Sequence, residues 1–229
     1  MKTIAVISRK GGAGKTTLAV NLFAALRQAE RRTVLADADP LRSTSEALRA
    51  TPGDGGPVVE TSASKLFALT TASARSGVER LVIDTPASPE ADIVAAIKLA
   101  DLCLIVARPT YLDLAAALKT LELVRQLSTR GMVVLNQCPP ARRGAESRSV
   151  AATLETLRFS GVPVAPRALR ARLAYQNAIA RGQGVVDYEP EGVAAAEVRS
   201  LAAAVEQQFV AEAAPAAAND AAAPRRARS

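Results

Sequence analysis

Short apolar runs alternate along the chain with longer segments in which apolar residues recur at helical spacing. The short runs predict buried strands at 3–8, 33–37, 58–61, 80–84, 102–107, 132–136 and 162–165. The longer segments predict helices at 18–29, 41–50, 64–76, 90–100, 113–129, 147–160, 170–181 and 191–211. Because strands and helices alternate, we predict an α/β fold with one doubly wound, mostly parallel sheet and helices on both faces.

Length and composition are consistent with one domain. The chain has 229 residues, enough for a sizeable single core, and we place the domain at 1–212 and an Ala- and Pro-rich disordered tail at 213–229. It has no basic-apolar leader and no run of 18 or more apolar residues, so we expect a cytoplasmic protein. Histidine is absent, which excludes histidine-based catalysis. The two cysteines, Cys103 and Cys138, fall in or beside predicted core strands, and indicate neither a disulfide nor a metal site.

A glycine-rich loop separates the first predicted strand from the first predicted helix. Residues 9–17 read Arg-Lys-Gly-Gly-Ala-Gly-Lys-Thr-Thr. Glycines let successive backbone N–H groups turn inward around a phosphate, and the helix that follows directs its positive N-terminal end at the same charge. Lys15 would reach the β- and γ-phosphates, and the Thr16 hydroxyl would bind Mg²⁺. The predicted nucleotide-binding residues of the loop are Gly11, Gly12, Ala13, Gly14, Lys15, Thr16 and Thr17.

Aspartates stand at the carboxyl ends of two further predicted strands. Asp37 and Asp39 close the second strand, with Pro40 preventing its extension, and Asp84 closes the fourth. Carboxyl ends of parallel strands form the crevice in which open α/β sheets bind ligands. We expect Asp84 to hold Mg²⁺ through a water, Asp39 to orient the attacking water, and Asp37 to support either the metal or the loop. The alternative for each aspartate alone is a solvated strand end.

Lys10 is an additional lysine near the start of the loop, and with it the sequence resembles the ParA/MinD family of ATPases. The hallmark of that family is a deviant Walker A motif with such an early lysine. Asp37-Ala38-Asp39-Pro40 and Asp84-Thr85-Pro86 are similar to two further family motifs, as are residues 104–114 and 170–188. The resemblance covers about residues 1–205. The start directly at the first strand fits the small ParA type, which lacks an added N-terminal DNA-binding domain.

The resemblance implies a P-loop NTPase fold, ATP and Mg²⁺ as cofactors, and a mechanism. Two ATP-bound subunits pack face to face in an ATP-dependent homodimer, and Lys10 of each reaches the phosphates of the other. Lys10, Lys15 and Asp39 would be the catalytic residues, with Thr16, Asp37 and Asp84 at the metal and Asn136 against the adenine. The family also implies non-specific DNA binding, a nucleoid-associated location, and a ParB-like or other partner that stimulates hydrolysis.

The net charge of +7 is unevenly distributed. Residues 140–182 contain eight arginines and no lysine, against two acidic residues. Guanidinium groups suit phosphate contacts, so this stretch predicts either a DNA-binding surface or a solvated basic face. Because the resemblance favours DNA, we select as contacts Arg167, Arg170, Arg172 and Arg181.

Several functions remain open at this point. The favoured one is a positioning ATPase whose cargo is a plasmid, a chromosome or a protein cluster. A metabolic or assembly ATPase of the same superfamily, or an ATP-binding switch with little turnover, are the alternatives. Membrane binding is not expected, because the last predicted helix carries three glutamates against one arginine and a mostly alanine apolar surface. Two departures from the family pattern are Leu41-Arg42 after Pro40 and Ala87-Ser88 after Pro86. The resemblance implies that residues near these positions help to transmit the nucleotide state.

Overall fold

The computed structural model describes residues 1–49 and 57–219. Within them, one sheet contains six strands, all parallel to their neighbours. In chain order they are β1 (Lys2–Ile7), β2 (Thr33–Asp37), β3 (Val58–Glu60), β4 (Arg80–Asp84), β5 (Leu102–Ala107) and β6 (Arg130–Leu135). Their order across the sheet is β3-β2-β4-β1-β5-β6, which places β1 between β4 and β5. The expected α/β fold with a parallel sheet is confirmed.

Nine α-helices lie in the described ranges, and a short 3-10 turn at Ala63–Lys65 precedes the third. They are α1 (Lys15–Gln28), α2 (Ser43–Arg49), α3 (Leu66–Arg75), α4 (Glu90–Leu99), α5 (Tyr111–Gln126), α6 (Arg148–Phe159), α7 (Leu173–Ala180), α8 (Val185–Tyr188) and α9 (Val193–Asn219). Seven of the nine fall at predicted helices with shifted ends, α9 extends beyond its predicted end, and the short α8 was not predicted. None of the described helices is long and apolar enough to cross a membrane.

Side chains of successive strand residues point to opposite faces of the sheet and supply two apolar cores. Ile4 and Val6 contribute to a core that includes residues of α1, α7, α8 and α9. Ala5 and Ile7 contribute to the other core, with residues of α3, α4, α5 and α6. All four strand residues are fully buried. The doubly wound arrangement follows, since β1 is covered on both faces.

Two predictions about the later part of the chain need adjustment. The seventh strand, at 162–165, is wrong: only one parallel bridge, between Val133 and Val164, joins this segment to β6. Pro163 has no N–H to donate, and its segment contributes only its carbonyl and the Ala165 amide to Val133. The other adjustment concerns the boundary at 212. Helix α9 continues to Asn219, and 220–229 lie outside the described residues, so the tail at 213–229 stays a prediction.

Candidate nucleotide-binding site

The glycine-rich loop joins the carboxyl end of β1 to the first residue of α1, Lys15. Gly12 and Gly14 have φ angles of 73° and 89°, a region that side chains with a Cβ rarely adopt. At Gly14 there is also no room, because a Cβ would lie 2.3 Å from the Asn136 side-chain nitrogen. Gly14 is therefore required both for its backbone conformation and for a close approach. The loop opens toward solvent at Gly11 and Gly12, where a phosphate could enter.

Lys15 extends from the first turn of α1 into the site and is buried. Burial lowers the pKa of Lys15, while the negative charges of Asp84 and Asp39 oppose that shift. Its ammonium group makes no hydrogen bond or ion pair with any residue of the described ranges. A buried cation without a direct partner, next to two carboxylates, is suited to a polyanionic ligand.

Asp84, at the end of β4, collects two hydroxyl groups on one carboxylate oxygen. Thr16 and Thr44 donate to its Oδ2 over 2.8 and 2.7 Å. Its Oδ1 is buried and has no hydrogen-bond partner. Burial raises the pKa of Asp84 to about 6, against the lowering effect of the two hydroxyl hydrogen bonds. An unpaired carboxylate oxygen beside hydroxyl oxygens is the donor set that Mg²⁺ prefers, so these residues fit the metal that the loop implies.

Asp37 and Asp39 differ in what their carboxylates do. Both oxygens of Asp37 accept backbone N–H groups, from Asp39 over 3.2 Å and from Ser45 over 2.9 Å. Of the two roles left open for Asp37, this geometry favours support of the loop; the metal role stays a prediction. Asp39 is half-buried, accepts the Leu41 N–H over 2.9 Å, and lies close enough to Lys15 for its charge to oppose the lowering of the Lys15 pKa by burial.

Asn136 and Gln137 follow β6 and brace the phosphate loop from the side. The Asn136 amide donates to the Ala13 carbonyl over 2.9 Å, and the Gln137 amide donates to the Gly12 carbonyl over 3.0 Å. Beside Asn136 lies a cleft of about 460 Å³ whose lining includes Thr17, Tyr175 and Gln176. The cleft is next to the loop and has the size of a small-molecule site. Contact between Asn136 and an adenine stays a prediction.

Lys10 lies at the outer side of the loop and is half-buried. Its backbone N–H donates to the Ser8 hydroxyl over 3.3 Å, but its ammonium group makes no hydrogen bond or ion pair in the described part of the chain. Lys10 is close enough to Asp113 to affect the pKa of that carboxyl group. Burial would raise the pKa of Asp113, but hydrogen bonds from Arg108 and Thr110, with the charges of Arg108 and Lys10, lower it.

Comparison with known proteins identifies the fold family. The model of the CobQ/CobB/MinD/ParA nucleotide binding domain matches residues 4–185. The chain belongs to this family. The resemblance to ParA/MinD ATPases is thereby confirmed, and the phosphate loop, Asp84 and Asn136 all lie within the matched range.

Named relatives of this nucleotide binding domain family resemble most of the chain. The chain is 33% identical over 199 residues to maintenance of carboxysome distribution protein A of Gloeobacter kilaueensis, covering 86% of this chain and 89% of that protein. It is 32% identical over 207 residues to the protein of the same name from Halothiobacillus neapolitanus, covering 85% and 91%. Among solved structures, the septum site-determining protein MinD of Pyrococcus horikoshii, complexed with Mg-ADP, has a TM-score of 0.72 at 20% identity. It covers 91% of this chain and 97% of that one. This chain therefore has the same fold as that structure.

The four arginines predicted to contact DNA are used differently in this family member. Arg170 pairs with Glu146 and donates to the Pro139 carbonyl over 2.9 Å. Arg172 donates to Glu197 over 2.6 and 3.1 Å. Arg181 lies over the Tyr188 ring, 4.8 Å from its centre, and Arg167 is exposed. The DNA assignment stays a prediction, but Arg170 and Arg172 contribute to internal networks.

Two residues of the site, Thr44 and Gln137, and a third that holds residues of the cleft, Glu197, were not predicted from the sequence patterns. Thr44 follows Asp39 by five positions, and its signal was the Ser-Thr-Ser run at a helix start, typical of capping hydroxyls. Gln137 was overlooked beside Asn136. Glu197, buried in an alanine-rich helix, accepts hydrogen bonds from Arg172, the Arg170 backbone and Tyr175. Nothing in its sequence surroundings indicates that burial.

Proposed function

We propose that this protein is an ATPase that positions a cellular cargo through an ATP-dependent homodimer. The observation that carries the proposal is Lys10: it belongs to the candidate phosphate-binding loop, yet its ammonium group has no hydrogen bond or ion pair in the described chain. The family and the two relatives named for carboxysome distribution support the same function.

The side chains of the site would divide the work between binding and hydrolysis. Lys15 and the loop amides would bind the β- and γ-phosphates, and Thr16 with Asp84 would hold Mg²⁺. The metal, when bound, supplies positive charge to the phosphate oxygens. Asp39 would orient the attacking water, and Asn136 with the adjoining cleft would hold the base. With no histidine and no arginine assigned to the phosphates, we expect slow turnover, suited to a timer.

The proposed dimer rests on Lys10. Gly11 and Gly12 are exposed and Lys10, the residue before them, is half-buried, so a second copy placed face to face could receive each Lys10 at its own phosphates. The added positive charge would stabilise both the dimer and the charge that develops on the phosphates during transfer. ATP would therefore control the oligomeric state.

The mass of the protein in solution, measured by light scattering with ATP and Mg²⁺, tests this part. We expect wild type to shift toward a dimer and Asp39→Ala to accumulate as one because hydrolysis is blocked. Lys10→Ala should stay monomeric while still binding ATP. If Lys10→Ala dimerises and hydrolyses ATP like wild type, the proposed role of Lys10 is wrong. If wild type binds ATP and dimerises without measurable turnover, the protein is a switch and not an ATPase.

For the DNA surface we propose Arg167 as the first residue to test and Arg181 as the second. The arginine-rich stretch and the family resemblance support non-specific binding, and hence a nucleoid-associated, cytoplasmic location. Arg167→Glu should weaken ATP-dependent retention on DNA several-fold. The slope of log affinity against log salt concentration should become shallower by about one, the value for one lost phosphate contact. Arg75→Glu, the same charge change on α3, is the control. Equal retention by both variants would place the DNA surface elsewhere.

For the cargo we propose a large protein assembly, with a partner protein that stimulates hydrolysis. The support is the name shared by the two relatives of 32% and 33% identity. Deleting the gene should disturb the spacing of that assembly, which fluorescence microscopy can measure, while plasmid retention stays unchanged. Plasmid loss or chromosome misplacement with normal assemblies would instead indicate a partition function and a ParB-like partner.

A further inference from the structure

Arg42 occupies an unusual place in the segment that carries Asp39. It follows β2 and directly precedes α2, with a φ angle of 53°, in the left-handed region that favours glycine. Its N–H donates to the Asp39 carbonyl over 2.9 Å, and its own carbonyl accepts the Glu46 N–H over 2.9 Å. The residue thus closes a turn on one side and opens a helix on the other.

The guanidinium group of Arg42 ties together the ends of two strands. Its Nη1 donates to the carbonyls of Asp37 over 2.7 Å and of Thr61 over 2.6 Å, and its Nε lies 3.8 Å from a Glu60 carboxylate oxygen. Asp37 ends β2, and Thr61 directly follows β3. These are charge-assisted bonds, stronger than neutral ones, and they offset the strain of the positive φ.

This bond pattern fixes the residues on both sides of Arg42. Three positions before it, Asp39 lies near Lys15, and two positions after it, the Thr44 hydroxyl reaches Asp84. Ser45, the next residue, donates its N–H to Asp37. If the guanidinium were absent, the segment 39–45 would lose its bond to the Thr61 carbonyl after β3 and its bond to the Asp37 carbonyl, and only the Asp37 carboxylate would still attach it to the end of β2.

We propose that Arg42 is a positioning residue that holds Asp39 and Thr44 at the phosphate loop and thereby sets the rate of hydrolysis. The inference rests on the proposed ATPase function. It also separates two parts of the site: Gly11–Thr17 belong to the β1–α1 connection, whereas Arg42 acts on the β2–α2 connection. Arg42 should therefore affect turnover and leave nucleotide affinity nearly unchanged.

Arg42→Gly is the decisive variant, because glycine adopts the positive φ without strain while the guanidinium contacts are lost. We expect its kcat for ATP to fall roughly tenfold or more, since small misplacements of reacting groups are costly, with KM within about twofold of wild type. Arg42→Lys, which keeps a charged donor, should restore part of the loss. Arg143→Gly is the matched control: Arg143 has a φ of 52°, is exposed, and makes no side-chain hydrogen bond or ion pair in the described chain.

A second measurement needs no nucleotide. Hydrogen exchange of a peptide covering 39–46 should become at least about tenfold faster in Arg42→Gly than in wild type, because the segment opens locally. Arg143→Gly should leave this exchange and the DNA-free hydrolysis rate unchanged. If the 39–46 peptide of Arg42→Gly exchanges as slowly as in wild type, the inference is wrong, whatever the rate of ATP hydrolysis. If exchange is faster but kcat is unchanged, the positioning role is wrong. If wild type does not hydrolyse ATP, the proposed function fails, while the exchange still decides whether Arg42 holds the segment.

Discussion

Charged side chains have different partners at the two edges of the sheet, namely the edge where the parallel strands begin and the edge where they end. At the edge where the strands begin, Arg80 holds Glu206 through two hydrogen bonds of 2.6 and 2.7 Å, and Lys2 pairs with Asp101. Lys2, Arg80 and Arg130 also surround the Phe209 ring of α9 at 5.3 to 5.7 Å. At the edge where the strands end, Lys10, Lys15 and Asp84 Oδ1 lack direct partners in the described residues. The first edge uses charge to attach α9, whereas the second keeps charge available for a ligand.

The largest effect that would separate the two edges is the loss of ATP binding in Lys15→Ala. A charge-assisted hydrogen bond contributes about 2–3 kcal/mol, so we expect affinity to fall roughly 100-fold. Titration calorimetry with ATP and Mg²⁺ measures this. The folded protein should lose no stability, because no ion pair of Lys15 is broken. Lys98→Ala, an exposed lysine on α4, is the control; a fall in affinity there as well would mean that general charge, not the site, governs binding.

The opposite result is expected for Arg80→Met. Removing one partner of a largely buried pair leaves Glu206 short of its main contact, so the free energy of unfolding should fall by about 2–3 kcal/mol, with ATP binding intact. Urea denaturation checks the first part. Arg32→Met, whose side chain is 70% exposed and 3.7 Å from Glu79, should change stability by less than about 0.5 kcal/mol. Equal effects of both substitutions would contradict a special role for the Arg80 pair.

A smaller effect concerns pH and Asp84. Its pKa is raised from 3.8 to about 6 by burial, so between these values the native state holds a proton that the unfolded state has released. Stability of the Mg²⁺-free protein should therefore fall as pH rises through this interval, by roughly 2 kcal/mol, and remain lower above it. Asp84→Asn should remove this fall, while Glu155→Gln should keep it. An unchanged pH profile in Asp84→Asn would show that another group is responsible.

The two edges also differ in how far they could be predicted. Local patterns were enough to predict the loop residues, Asp84 and the fold, because the glycines, the strand end and the following helix are adjacent in sequence. The contact of Arg80 with Glu206, and that of Arg172 with Glu197, join residues far apart in the chain, and no short pattern indicates them. For the same reason, the roles of the arginines in 140–182 could not be predicted. The sequence shows how many charges the stretch carries, but not which carboxylates pair with them.

Arg42 illustrates a different limit. The sequence shows that Arg42 departs from the family pattern. It does not show the φ angle or the two carbonyl partners of Arg42, because these depend on the register of β2 with β3. The seventh strand failed for a similar reason, since an apolar run predicts burial and not hydrogen bonding. Whether a segment pairs in a sheet depends on strands that lie far away in the sequence, and the local sequence does not identify them.

The position of β1 in the middle of the sheet has a consequence for synthesis. The strand that leads into the phosphate loop is made first, but its two neighbours are β4 and β5, which end at Asp84 and Ala107. The Asn136 brace is made later still. A nascent chain therefore carries the phosphate loop out of the ribosome before the residues that hold the loop in shape have been made, and we expect nucleotide binding to begin only after Asn136 has been translated.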